Sequence, residues 1–305
     1  HWPVWGAERI RTFIEHQRDS YQFIHDQTVR GMNAGLTAPE IAETLKMPTA
    51  LQQDLAVHGY YGTVKHNVKA VYQFYLGWYD ANPANLDPLP NAESARRMID
   101  YMGGAGAVLA RSRADFDAGE FRWVAEVLGK LVYAEPDNAE ARDLLADTFE
   151  QLGYRSECAT WRNAYLYGAQ ELRHGVMEMT ISRTLGPDLM QAMSVSTMLD
   201  FLGVRLIPEK VAGLSFSLNI QITDRKEKYA LTLSRGTLTH LTGQTDPQAV
   251  ATVSLSFEAI ALIAVGTGAL ANQDVAIEGD SMAVEALFAA LDFQRAGDDA
   301  ADGED

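Results

Sequence analysis

Apolar residues recur at helical spacing through the first half of the chain and at every second position over much of the rest, so the sequence changes its period once. Over 8–19, Ile10, Phe13 and Ile14 share a stripe, and 21–32 follows as a further helix with Phe23, Ile24 and Val29. Thr37-Ala38-Pro39-Glu40 is a helix start, with Thr37 as the cap, Pro39 in the first turn and Glu40 placed to reach back. Met47-Pro48 ends that helix, because the residue before proline avoids the helical region. A turn at Gly59-Tyr60-Tyr61-Gly62 leads into a helix over 66–79, where Val68, Val71, Tyr72, Tyr75 and Trp78 are in phase. Asn82-Pro83 and Pro88-Leu89-Pro90 form a linker. Helices over 95–102, 120–133, 139–152 and 155–173 complete this half. Gly103 to Gly106 is a break or a tight helix contact, Asn138 is a cap and Gly153 a stop. The order of helix, Pro-Asp-Asn turn, Ala-rich helix and Leu-Gly stop is tetratricopeptide-like, with too few copies for a solenoid. It predicts helix pairs packed within the domain or against a second subunit.

The second half opens with an amphipathic helix over 187–202, offering Leu189, Met190, Met193 and Leu199 to an apolar face. Strict alternation over 214–222 predicts a half-buried strand. Further strands are expected over 229–234, 238–241, 250–257 and 275–277, with turns at 224–227 and Arg235-Gly236. A short apolar helix over 259–265 and a closing helix over 281–293, capped by Ser281, complete an α+β domain with an antiparallel sheet. The expected fold class is therefore multidomain: an all-α helical half followed by an α+β domain.

Composition narrows the function. A length of 305 residues with 47% apolar side chains accommodates two cores. A net charge of −16 argues against a nucleic-acid partner and against attraction to anionic lipid. The acidic end, 296–305, reads as a disordered tail. The single cysteine, Cys158, excludes an intrachain disulfide or a multi-cysteine metal site and fits a small core residue on a helix. The longest apolar run, 259–271, falls short of the ~20 residues a helix needs to span a bilayer. No two histidines stand at i,i+2 or i,i+4, and neither a G-x-S-x-G elbow nor a P-loop is present. Gly104-Ala105-Gly106 follows a predicted helix rather than a strand, so it fails as a dinucleotide fingerprint. His25-Asp26 could orient an imidazole, but an interhelix hydrogen bond is the simpler use. The cluster Tyr60, Tyr61, His66, Tyr72, Tyr75, Trp78 and Tyr79 reads as core, with hydroxyls that need partners.

Several ordered motifs carry a resemblance. His1-Trp2-Pro3-Val4-Trp5-Gly6, Gln17 to Tyr21, His25-Asp26-Gln27, Gly59-Tyr60-Tyr61-Gly62-Thr63 with His66-Asn67, Trp78-Tyr79-Asp80, and Trp161-Arg162-Asn163 are similar to segments of the zinc-dependent alkyl sulfatases, of the metallo-β-lactamase superfamily. The stretch 184–295 resembles their sterol-carrier-like C-terminal domain.

The resemblance implies the end of a catalytic domain over 1–18, a helical dimerisation domain over 19–175 and the sterol-carrier-like domain over 184–295. It implies two Zn2+ ions held mostly by an H-x-H-x-D-H motif and carboxylates that lie outside this sequence. The implied activity is hydrolysis of alkyl sulfates such as dodecyl sulfate by zinc-activated water, with no catalytic residue in this chain and no turnover by it alone. His1 is the implied metal ligand. Tyr61, His66 and Tyr72 are the implied sulfate-side residues, against the alternative of an aromatic core. Leu189, Met190 and Met193 would form the alkyl side. The implied partners are a second copy and an alkyl sulfate or other amphiphile, in a periplasmic or secreted setting. The competing reading is a non-catalytic dimeric lipid-binding or scaffold module.

Overall fold

The computed structural model describes residues 3–177, 192–264 and 274–292. His1, Leu189, Met190, the start of the helix expected over 187–202 and the tail 296–305 lie outside the described residues. The chain divides into two units, 1–177 and 178–305.

The first unit is helical: α1 (Ala7–Asn33), α2 (Ala38–Thr44), α3 (Thr49–Gln52), α4 (Val64–Leu76), α5 (Asn91–Tyr101), α6 (Ala105–Asp117), α7 (Phe121–Ala134), α8 (Ala139–Tyr154) and α9 (Ala159–His174). The two helices expected over 8–32 are one, α1, since neither proline nor glycine interrupts the chain between them. Its N-terminal stripe of Ile10, Phe13 and Ile14 stays exposed, and only Ile24 and its neighbours are covered. At α2 the Glu40 carboxylate accepts from the Thr37 amide and hydroxyl at 2.8 and 2.7 Å. α4 starts two residues earlier than the pattern suggests, because the Thr63 hydroxyl caps it by accepting from the His66 amide at 2.9 Å. It stops at Gly77, which leaves Trp78 and Tyr79 beyond the helix.

α6 was not expected. Its buried set of Val108, Leu109 and Ser112 is a narrow stripe among small residues. Gly153, expected to stop a helix, lies buried in the last turn of α8, which ends one residue later at Tyr154. A Cβ there would stand 2.9 Å from Leu166 Cδ2, so the glycine is what lets α8 and α9 approach. Two clusters form the unit's core. Ile24, Ile41, Val68 and Tyr72 join α1, α2 and α4, while Ile99, Leu109, Val124, Leu128 and Leu145 join α5 to α8.

The second unit contains α10 (Val195–Val204), β1 (Ser215–Ile222), β2 (Glu227–Ser234), β3 (Thr237–Thr242), β4 (Ala251–Leu255), α11 (Phe257–Ala264), β5 (Val275–Gly279) and α12 (Ser281–Ala289). The sheet order is β3-β2-β1-β4-β5. Three pairings are antiparallel, as the alternation suggests, whereas β1 and β4 run parallel, with Ile220 opposite Val253. Strand β4 ends before Phe257, whose amide donates to Asp224 Oδ1 at 2.9 Å, while Ser256 Oγ accepts from the Ala259 amide at 3.1 Å. These two contacts turn the chain into α11 where the apolar alternation alone would extend the strand. Asp280, not Ser281, caps α12, by accepting from the Ala283 amide at 3.1 Å. α10 begins at Val195 because Ser194 Oγ caps it.

Candidate functional site

The Gly59–Gly62 turn sets two tyrosines at a surface loop before α4. Gly59 is required by closeness, since a Cβ on it would meet the Gly62 carbonyl at 2.7 Å. The loop is fastened to the start of α9, a hundred residues on. The Ala159 amide donates to the Tyr60 carbonyl at 2.7 Å, and Thr160 Oγ1 donates to the Tyr61 carbonyl at 3.0 Å. Trp161 Nε1 donates to His66 Nδ1 at 3.0 Å, with the rings edge to face. On the loop's other flank, His58 Nδ1 meets Glu157 Oε1 at 3.0 Å and Nε2 meets the Gln52 carbonyl at 2.8 Å. Both partners are acceptors, so both nitrogens must carry protons. The Glu157 carboxylate first, and then the Gln52 carbonyl, raise the His58 pKa above its ordinary value. Cys158, expected within a helix, is buried at the cap position of α9, with Sγ 3.1 Å from Thr160 Oγ1.

Tyr61 and His66 therefore converge on neighbouring residues, Thr160 and Trp161, and both side chains are exposed. Tyr72 lies further along α4, buried in the core against Ile24, Ile41 and Val68. Met193 is half-buried and packs against the core of the α+β unit. The sequence held no local signal for Trp161 in this role, because its partner stands 95 positions away.

Two other histidines form clusters. His25 Nε2 meets Tyr75 Oη at 2.8 Å and Nδ1 meets Asp26 at 2.9 Å, which makes the interhelix hydrogen bond between α1 and α4. In the α+β unit, His240 Nε2 lies 2.7 Å from Ser196 Oγ, and Nδ1 lies 3.4 Å from Asp200 Oδ1. The residue types match a Ser-His-Asp relay, but the Asp200 side chain is 72% exposed and its ion pair is long, so it does not orient the ring as a buried carboxylate would. The contact ties α10 to the edge strand β3.

Among the described residues, no group of three or more His, Cys, Asp or Glu side chains is placed to hold a metal ion. The described residues do not fit as the holder of a zinc pair. No described helix is long and apolar enough to cross a membrane.

Residues 37–175 match the model of the alkyl sulfatase dimerisation family, and residues 183–296 match that of the alkyl sulfatase C-terminal family. The chain is 48% identical over 296 residues to the alkyl/aryl-sulfatase BDS1 of Saccharomyces cerevisiae, covering 96% of this chain and 45% of that protein. It is 44% identical to a linear primary-alkylsulfatase of a Pseudomonas species, covering 96% of this chain and 44% of the relative. Among solved structures it superposes on the stereoselective inverting sec-alkylsulfatase Pisa1 from Pseudomonas with a TM-score of 0.90 at 41% identity, over 96% of this chain and 46% of that one. It thus spans about half the length of these relatives. The chain belongs to the alkyl sulfatase family, with its helical part matching the dimerisation domain and its α+β part the C-terminal domain.

Proposed function

We propose that this chain is the dimerisation and alkyl-chain-binding portion of an alkyl sulfatase, a sulfuric ester hydrolase acting on alkyl sulfates such as dodecyl sulfate. One observation carries the reading: two family matches, dimerisation and then C-terminal, stand consecutively in one chain. On this reading 1–18 is the end of a catalytic domain, 19–175 the dimerisation domain, 184–295 the sterol-carrier-like domain and 296–305 an acidic tail; the matches over 37–175 and 183–296 support the two larger domains. Zinc, with His1 as the ligand this chain would add, belongs to the catalytic portion of the family, and no step through it is assigned to the described residues. The chain alone is expected to be inactive.

Self-association is supported by large apolar side chains the helical unit leaves uncovered: Phe74 is 80% exposed, Trp78 69% and Tyr101 94%. A surface groove of about 380 Å³ beside Tyr101 is lined by Leu89, Met98 and Met102. Such a surface is what a second copy would cover. Tyr61 and His66 face the sulfate, while Tyr72 holds α4 in place against Ile24 and Ile41. Leu189, Met190 and Met193 take the alkyl chain, where each buried CH₂ contributes about 0.8 kcal/mol.

Light scattering at micromolar concentration should give a homodimer, whose obligate interface would bury about 2,000 Å² or more. Calorimetry should register dodecyl sulfate binding, and the chain by itself should release no sulfate from that ester. A monomer would remove the dimerisation role, and sulfate release by the chain alone would overturn the accessory one.

A further inference from the structure

An indole N–H can only donate a hydrogen bond. Trp161 Nε1 lies 3.0 Å from His66 Nδ1, so that nitrogen must offer its lone pair. The neutral ring then carries its proton on Nε2. A ring protonated on Nδ1 would set two N–H groups head to head.

The surroundings hold this geometry from both sides. The His66 backbone is fixed in the first turn of α4 through the Thr63 cap at 2.9 Å. The start of α9 is fixed against the same loop by the Ala159 and Thr160 contacts to Tyr60 and Tyr61. The two rings meet edge to face, 6.1 Å between centroids and 65° apart. His66 is exposed, and its Nε2 makes no hydrogen bond to another described residue.

We propose that Trp161 is a positioning residue that locks His66 in the Nε2–H tautomer, so that His66 presents a donor to an anionic oxygen of the sulfate ester. The inference rests on the reading that His66 faces the sulfate. It adds what that reading lacks: the direction of the hydrogen bond, and therefore the class of group accepted. With Nδ1 engaged by the indole and Nε2 protonated, neither nitrogen is free as a metal ligand. A sulfate oxygen, which only accepts, satisfies the outward N–H.

The test uses the ¹⁵N-labelled full chain. Long-range ¹H–¹⁵N correlation spectra report which ring nitrogen carries the proton, and a His66→Gln sample identifies the signal. The expected result is a protonated Nε2 and an unprotonated Nδ1 in the parent chain, at a pH where the ring is neutral. Trp161→Phe, which keeps a ring but loses the N–H, should convert this to a mixture of tautomers. It should also weaken binding of dodecyl sulfate about two- to tenfold, the size of one ordinary hydrogen bond.

A proton on Nδ1 in the parent chain would overturn the proposal, and this holds even if the variant fails to fold. An unchanged tautomer in a folded Trp161→Phe chain would overturn the role of Trp161. If the lock is found but dodecyl sulfate leaves the His66 signals unmoved, the positioning role stands and the sulfate-side reading falls. The two failures are therefore distinguishable.

Discussion

The two units satisfy their apolar residues to different degrees. Of the twelve largest fully buried side chains among the described residues, ten, from Met198 to Ile260, belong to the α+β unit, and only Leu128 and Leu131 belong to the helical one. The α+β unit closes on itself, with β1 at the middle of the sheet and α11 almost wholly covered. The helical unit leaves Trp5, Ile14, Phe74, Trp78 and Tyr101 in solvent. Its conspicuous loop is held by a few hydrogen bonds to α9 rather than by a core. One unit is finished as a packed object, and the other is finished only by what covers it. That difference suits a C-terminal domain on the one hand and a dimerisation domain on the other.

The largest expected effect tests the closed core. Ile220, 1% exposed at the centre of β1, faces Tyr229 and Val253 across the sheet. Ile220→Ala should cost about 2–5 kcal/mol through lost burial and the cavity left behind. All five tryptophans lie at or before position 161, so their fluorescence reports the helical unit. The denaturation midpoint by circular dichroism should fall while the tryptophan midpoint stays. Equal shifts in both would show that the units unfold as one and would break the comparison.

A smaller effect tests the helical unit at the contact between α8 and α9. Gly153→Ala sets a methyl about 3 Å from Leu166. Overpacking costs about 1–3 kcal/mol, and the gain in helix propensity returns about 1 kcal/mol. A net loss near 1 kcal/mol in tryptophan-monitored denaturation is the expected outcome. A gain in stability would mean that α9 moves aside freely, and that this contact is as loose as the surface around it.

What the sequence displayed divides by distance along the chain, in both units. Local physics was legible: the alternation that makes β1, the Thr37–Glu40 start and the Asn138 cap each act within a few residues. Effects set by distant neighbours were not. Gly153 marks the end of α8 to within a residue, but not the approach of Leu166 that it makes room for. The parallel pairing of β1 with β4 depends on a crossover that no alternation encodes. Tyr61 and His66 could be picked out by resemblance, but the indole that defines the His66 donor stands 95 positions away. Tyr72 is in phase with Val68 on α4 rather than with His66, and its packing against Ile24 and Ile41 takes it inward, as the core alternative had it.

The smallest expected effect is a pH dependence confined to the loop. His58 donates from both nitrogens, to Glu157 and to the Gln52 carbonyl, and its pKa is raised above the ordinary value near 6.5. The folded loop thus binds this proton more tightly than the unfolded chain does. The stabilisation is complete below about pH 6.5 and is lost as the pH rises through the raised value. It is modest, because the Glu157 side chain is 58% exposed and solvent screens the pair. The α+β unit offers a control: Tyr229, buried and bonded to Glu227, is pushed up to about 12 and stays a neutral hydroxyl throughout that range. Amide exchange at Gly59 to Gly62, corrected for its intrinsic pH dependence, should quicken from pH 6 to 9 in the parent chain. It should be flat in His58→Gln, while the β2 amides stay protected in both. Loop exchange that is flat in the parent chain would show that the doubly donating imidazolium does not fasten the loop, leaving Ala159 and Thr160 to hold it through backbone carbonyls that do not titrate.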